Sequence, residues 1–187
     1  MQYSYYPGCS LEATAIEYNL STRAVAAALG VELVELPGWT CCGSSSAHAV
    51  HKDLALGLAA HNIALAQEHG RDLVVPCAAC YARLCRADYL MRHDPQERAQ
   101  GEKMVGFTYT GEIQVYSFLE VVKNHIGTEK IARAVQRPLT GLKVACYYGC
   151  LLVRPPEVRP FDRAEDPVSL DEVVAALGAE MKNVVCL

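Results

Sequence analysis

Asp72-Leu73-Val74-Val75-Pro76-Cys77-Ala78-Ala79-Cys80 decides how this chain is read. An apolar run stops at a proline, and a Cys-x-x-Cys pair opens the next segment. Asp72 to Val75 reads as a strand, Pro76 as its end, and Cys77 to Arg92 as the start of a helix. The same order recurs upstream. Tyr3 to Tyr6 is a strand that runs into Pro7-Gly8-Cys9. Val31 to Leu36 is a second strand, broken by Pro37-Gly38, with Cys41-Cys42-Gly43 in the loop after it. Helical spacing of Ile16, Leu20, Ala24 and Ala27 fills the first interval and stops at Gly30. Val50, Leu54, Leu58 and Leu65 mark a long helix in the second, ending near Gly70. Alternating strands and helices predict an α/β domain with a parallel sheet. Every cysteine group then falls just past the C-terminal end of a strand, where open α/β sheets hold their ligands.

Downstream the pattern is less regular. Residues 93–110, with Asp94-Pro95, Gly101 and Gly106, read as a polar connecting loop, and the charged run 92–102 as its solvated part. Ile113, Tyr116, Leu119 and Val122 predict a helix, and Leu142 to Tyr148 a strand. Ser169 followed by Glu172 has the form of a capping box opening a helix with Leu170, Val173, Val174 and Leu177 on one face. The chain also repeats itself. Tyr5-Tyr6-Pro7-Gly8-Cys9 is echoed by Tyr147-Tyr148-Gly149-Cys150, and Ala28-Leu29-Gly30-Val31-Glu32 by Ala176-Leu177-Gly178-Ala179-Glu180. This order predicts an internal duplication. A first domain is expected over residues 1–110 and the start of a second over 111–187.

The 187 residues are 51% hydrophobic and 20% charged, with a net charge of -4, so a packed core is expected and a basic nucleic-acid surface is not. Met1 to Pro7 lacks the basic and apolar segments of a signal peptide, and no apolar run is long enough to span a bilayer. A cytoplasmic protein without a membrane span is the expectation. In that setting nine cysteines point to metal binding or catalysis rather than to structural disulfides.

Cys9, Cys41, Cys42, Cys77 and Cys80 arrive from three loops, with gaps of 31 and 34 residues between the groups. Thiolates are soft ligands that suit iron–sulfur clusters and zinc. A tetrahedral zinc takes four, as does an ordinary four-iron cubane. A fifth thiol implies an unusual cluster, or one cysteine left free to react. Gly8, Gly43, Ser44, Ser45, Ser46, Ala78 and Ala79 are small enough to let backbone N–H groups approach sulfur. Trp39 is placed to shield the site from water. Cys85 and Cys146 fall outside the motif and read as core residues. The histidines His48, His51, His61 and His69 follow the second cysteine loop on one helix. His48 stands nearest that loop and is the candidate proton or hydrogen-bond donor.

The spacings and the Cys77-x-x-Cys80 pair resemble the cysteine-rich (CCG) domain of the B-type subunit of heterodisulfide reductase. Tyr147-Tyr148-Gly149-Cys150-Leu151-Leu152-Val153-Arg154-Pro155 resembles the start of the second copy in that family. The resemblance covers nearly the whole chain. It implies a Rossmann-like CCG domain with a second, incomplete pseudo-repeat. It implies that Cys9, Cys41, Cys42, Cys77 and Cys80 hold a non-cubane 4Fe–4S cluster. It implies an oxidoreductase subunit of sulfur metabolism that acts on a disulfide, a thiol or lipoate-bound sulfur. Partner flavin or iron–sulfur subunits would supply electrons, since no Gly-rich dinucleotide fingerprint is present. Cys150 and Arg154 would then lie on the substrate side, Arg154 as a ligand for an anionic group. Two other readings stand beside this one: an electron-transfer module without its own substrate site, and a structural zinc domain of a larger complex.

The second copy departs from the pattern. Gly30 precedes Cys41 by 11 residues, and the same step from Gly178 reaches position 189. No second Cys-Cys-Gly or Cys-x-x-Cys is present. Cys186 follows Cys150 by a 35-residue gap, with Leu187 where the second cysteine of a pair would stand. One complete cluster site and one unfinished one are expected.

Overall fold

The computed structural model describes residues 1–44, 46–159 and 161–182. They fall into two compact units, 1–117 and 118–187.

The first unit runs β1 (Gln2–Tyr5), α1 (Gly8–Glu12), α2 (Ile16–Ala28), β2 (Glu32–Glu35), α3 (Ala47–Val50), α4 (Lys52–Glu68), β3 (Leu73–Val75), α5 (Ala78–His93), α6 (Pro95–Val105) and β4 (Val115–Ser117). The four strands form one sheet in the order β2-β1-β3-β4, and every neighbouring pair is parallel. The expected α/β architecture is present. Leu73, Val74 and Val75 are fully buried, as a central strand covered by helices on both faces must be. The chain steps from β1 to β2 on one side, then crosses to β3 and β4 on the other. Right-handed crossovers then place α1 and α2 on one face and α4 and α5 on the opposite one. The packing agrees, since α4, α5 and α6 contact one another and α1 contacts α2. All four strands point the same way, so the loops after β1, β2 and β3 emerge along one edge of the sheet.

Residues 95–105, expected to be loop, are the helix α6. Its ends are fixed by local chemistry. The Asp94 carboxylate accepts from Gln96 N at 2.8 Å and Glu97 N at 3.3 Å, Pro95 occupies the first turn, and Gly106 closes the helix at φ +76°. Hydrophobic periodicity fails here because α6 packs through a small residue. Gly101 is buried against Met91, whose sulfur would lie 3.0 Å from a Cβ at that position. Asp94→Ala should lower unfolding stability by about 1 kcal/mol, read as a lower urea midpoint with unchanged slope.

Three further expectations are corrected. The helix expected from Ile113 starts at Phe118, because Val115–Ser117 instead pairs with Leu73–Val75 at the sheet edge. The sheet therefore extends past Thr110. The strand expected over 142–148 is found as β5 (Lys143–Val144), which among the described residues pairs with β6 (Glu180–Met181). Val50 lies in α3 and outside the long helix, because the backbone turns extended at His51, whose ring accepts from Leu54 N as the cap of α4.

The second unit opens with α7 (Phe118–Glu120), which continues as a π-helical turn (Val121–Ile126), followed by α8 (Thr128–Ala134). After β5 come α9 (Cys150–Val153), α10 (Ser169–Ala176) and β6. This repeats the order of β1, α1, α2 and β2, with a parallel strand pair and a cysteine in the short first helix both times. The capping box at α10 does not form, because other groups take the helix donors. Asp162 accepts from Val168 N and Ser169 N, and the Tyr148 hydroxyl accepts from Leu170 N and Asp171 N at 2.7 and 3.0 Å. Tyr148 in turn donates to the Asp171 carboxylate at 2.6 Å.

Candidate cluster site

Cys9 lies in α1, just after β1. Cys41 and Cys42 lie in the loop after β2. Cys77 caps α5 just after β3, and Cys80 lies in its first turn. Because β1 sits between β2 and β3, these loops are neighbours at the point where the connections diverge to opposite faces. The sulfurs of Cys42 and Cys80, 38 residues apart in sequence, approach to 3.3 Å. Cys80 also bonds Cys77, and Cys41 bonds Cys9. Cys42 and Cys80 are buried, Cys77 is half-buried, and Cys9 and Cys41 are exposed. Among the described residues, no three His, Cys, Asp or Glu side chains close on a single ion-sized point.

The electrostatics divide the thiols by role. Cys77 is lowered to about 6, first by the Cys80 side chain and then by the N–H groups of Cys80 and Ala79 at the start of α5. Cys42 is lowered to about 7, chiefly by its hydrogen bond with Cys80, with help from Ser44 N–H. Cys80 is buried between Cys42 and Cys77 and shares thiol hydrogen bonds with them, so its single proton is held firmly and its pKa is raised. Gly43 N–H, 3.4 Å from the Cys41 sulfur, favours a thiolate there, but burial and the sulfurs of Cys42 and Cys9 outweigh it and leave Cys41 raised. Bringing these thiols to full ionisation together requires a cation among them.

Glycine and tyrosine build the floor. Gly8 sits at φ +72°, and a Cβ there would lie 2.9 Å from the Cys80 sulfur and 3.2 Å from the Tyr6 ring. Tyr6 is fully buried and meets Trp39 edge-on at 5.3 Å. Its hydroxyl donates to Thr40 O at 2.7 Å, one residue before Cys41. Tyr18 does the same one residue before Cys77, donating to Pro76 O at 3.3 Å. Burial raises both tyrosines, and the surrounding sulfurs add to the effect. Asn62, also fully buried, bonds both backbone groups of Thr40. Tyr6, Tyr18 and Asn62 are the site residues that sequence reasoning misses. Their only signal is an asparagine interrupting the apolar run of α4 and a tyrosine at the end of a strand.

The other predicted residues have surroundings of their own. Cys85 is buried in α5, its thiol 3.9 Å from Val115 O. His48 is exposed on α3, separate from the helix that carries His61. Cys146 is half-buried and raised by burial and by Asp171. Cys150 is exposed at the head of α9 in the second unit. Arg154 bonds Ala164 O at 3.1 Å and the Glu165 carboxylate at 2.8 Å. Ser45 and Cys186 lie outside the described residues.

The donor set fits a sulfur-rich metal group: five thiols, backbone N–H groups directed at three of them, and a glycine where any side chain would strike a sulfur. Comparison with known proteins agrees. Residues 3–85 match the cysteine-rich domain family, CCG. The chain is 34% identical over 181 residues to the 8-methylmenaquinol:fumarate reductase membrane anchor subunit of Wolinella succinogenes, covering 96% of this chain and 63% of that protein. It is 33% identical over 181 residues to the B-type subunit of a CoB-CoM heterodisulfide reductase of Methanosarcina acetivorans, covering 95% and 60%. It is 32% identical over 187 residues to a protein of Archaeoglobus profundus described as like the heterodisulfide reductase B-type subunit, covering 96% and 62%. The chain thus spans less than two thirds of the length of these relatives. No helix among the described residues is long and apolar enough to cross a membrane. Residues 3–85 match the CCG cysteine-rich domain family, and over most of its length the chain is similar to the B-type subunits of heterodisulfide reductase and their relatives.

Proposed function

We propose that this chain is a redox subunit of the heterodisulfide reductase type, holding a non-cubane 4Fe–4S cluster on Cys9, Cys41, Cys42, Cys77 and Cys80. One observation carries the reading: three loops from separate strands deliver five thiols to one sheet edge, with Cys42 and Cys80 in sulfur contact. Five thiols from three loops exceed the four ligands of a tetrahedral zinc, which suits a multi-iron group better than a single zinc. When bound, such a cluster supplies the one-electron steps that a disulfide, a two-electron acceptor, must receive in sequence. The chain's own residues set access. Cys42 and Cys80 form the buried side, walled by Tyr6, while Cys9 and Cys41 face solvent and mark where a substrate sulfur or a partner approaches. Backbone N–H groups at Gly43, Ser44, Ala79 and Cys80 stabilise sulfur charge.

The substrate is a disulfide, a thiol or a lipoate-type sulfur, and the electrons come from flavin or iron–sulfur partner subunits. Cys150 is the second unit's counterpart of Cys9. Arg154 receives an anionic substrate group only after giving up Glu165, and His48, exposed on the short helix that follows the Cys41-Cys42 loop in sequence, is the proton donor. A relay role without a substrate site is the second reading. It is favoured by the relative named as a subunit of a menaquinol:fumarate reductase. Anaerobic iron and acid-labile sulfide analysis tests the cluster: about four irons per chain with matching sulfide is expected, and zinc without sulfide would overturn it. Electron paramagnetic resonance after thiol addition separates the two redox readings, since a signal that ignores thiols supports relay.

A further inference from the structure

Asn62 carries an amide into the apolar interior of α4, where Ala59, Ala60 and Ile63 are also buried. A buried amide is costly unless all its hydrogen-bonding groups are engaged. Here they are. Oδ1 accepts from Thr40 N at 2.9 Å, and Nδ2 donates to Thr40 O at 3.2 Å and to Leu58 O at 2.8 Å. Apart from the bond within its own helix, the amide is spent on one residue, the one before Cys41. Thr40 O receives a second donor, the Tyr6 hydroxyl. A peptide unit is planar and trans, so fixing the Thr40 carbonyl also fixes the direction of Cys41 N–H on the opposite side. The first bond of the Cys-Cys-Gly turn is thereby set from α4, 22 residues downstream in sequence.

The geometry points to Asn62 as the positioning residue of the adjacent-cysteine loop: its amide clamps both backbone groups of Thr40 and so aims Cys41 outward and Cys42 inward toward Cys80. The clamp rests on the cluster reading for its purpose, while its hydrogen bonds are made entirely by this chain's own groups. Loss of Asn62 frees the Thr40 peptide and lets Cys42 rotate out of its buried contact. General loosening of the core would expose Cys85 to the same degree, since Cys85 is likewise buried but lies in α5 with its thiol toward Val115 O.

The test is site-resolved alkylation of the full chain without metal, comparing wild type with Asn62→Ala. Labelling of Cys42 should quicken by about tenfold, the ratio given by losing one well-formed hydrogen bond, while Cys85 stays at its wild-type rate. Asn62→Ser serves where the alanine variant does not fold, because a serine can bond the Leu58 carbonyl four residues back but cannot span both groups of Thr40. In iron-loaded protein, either variant should also shift the paramagnetic signature of the cluster. Equal acceleration of Cys42 and Cys85 would reduce Asn62 to a core-packing residue and overturn the proposal. So would unchanged labelling of Cys42. A wild type that takes up no iron or sulfide sinks the cluster reading instead, and leaves the labelling result to decide the clamp.

Discussion

Under the proposed cluster, Cys42→Ser should abolish uptake of iron and acid-labile sulfide, while Cys85→Ser keeps both. The two thiols are matched in burial, at 2% and 7% exposure, so the contrast tests position rather than accessibility. Cys42 touches the Cys80 sulfur and is already biased toward thiolate. A serine hydroxyl there is smaller, harder and ionises far less readily, so it is a poor iron ligand. Losing even a supporting group around a metal lowers affinity by about 10- to 100-fold, and a direct ligand should cost at least that. Cys85 points to Val115 O, where a hydroxyl can donate to the same carbonyl. The serine variant there should fold with little change. Iron and sulfide per chain after anaerobic reconstitution, beside a thermal melt of each variant, read the outcome. Iron lost at Cys85 and kept at Cys42 would overturn the ligand assignment.

How much of the molecule is legible in the sequence depends on the range of the interactions involved. The strand ends are readable because Pro7, Pro37 and Pro76 punctuate apolar runs, and each run leads to a cysteine. That is local information. α6 is hidden because it is polar nearly all round and docks through Gly101, so no apolar stripe announces it. Its ends, Asp94-Pro95 and Gly106, are in plain view, but the same residue types also make loops. β4 is hidden for the opposite reason: Ile113, Tyr116, Leu119 and Val122 have helical spacing, yet pairing with β3 at the sheet edge prevails over residues 115–117. Tyr148 and Asp162 displace the expected Ser169 cap in the same way, from outside the local window. At the site, the thiols can be found by residue type. The groups that hold their loops cannot, because Tyr6 to Thr40 and Thr40 to Asn62 are contacts across 34 and 22 residues.

Gly8→Ala should abolish cluster assembly, whereas Gly149→Ala should leave it untouched. Both glycines precede the cysteine of a short helix, and nothing in the local sequence ranks them differently. Their backbones do. Gly8 is held at φ +72°, where an L-residue costs about 1–2 kcal/mol. Gly149 has φ −78°, which any residue adopts. Their surroundings differ more sharply still. A Cβ at Gly8 lands 2.9 Å from the Cys80 sulfur and 3.2 Å from the Tyr6 ring, whereas one at Gly149 meets nothing within 4 Å. Neither neighbour of Gly8 can yield cheaply. Cys80 is bonded to Cys42 and Cys77, and Tyr6 is fully buried with its hydroxyl on Thr40. The methyl group would drive the Cys9 loop away from the Cys80 loop and part the thiols proposed to share one cluster. The expected result is iron uptake at least about tenfold lower in Gly8→Ala, with a folded circular-dichroism spectrum and a modestly lower melting temperature. If Gly8→Ala assembles a full cluster, the close approach of the first and third cysteine loops is not what builds the site.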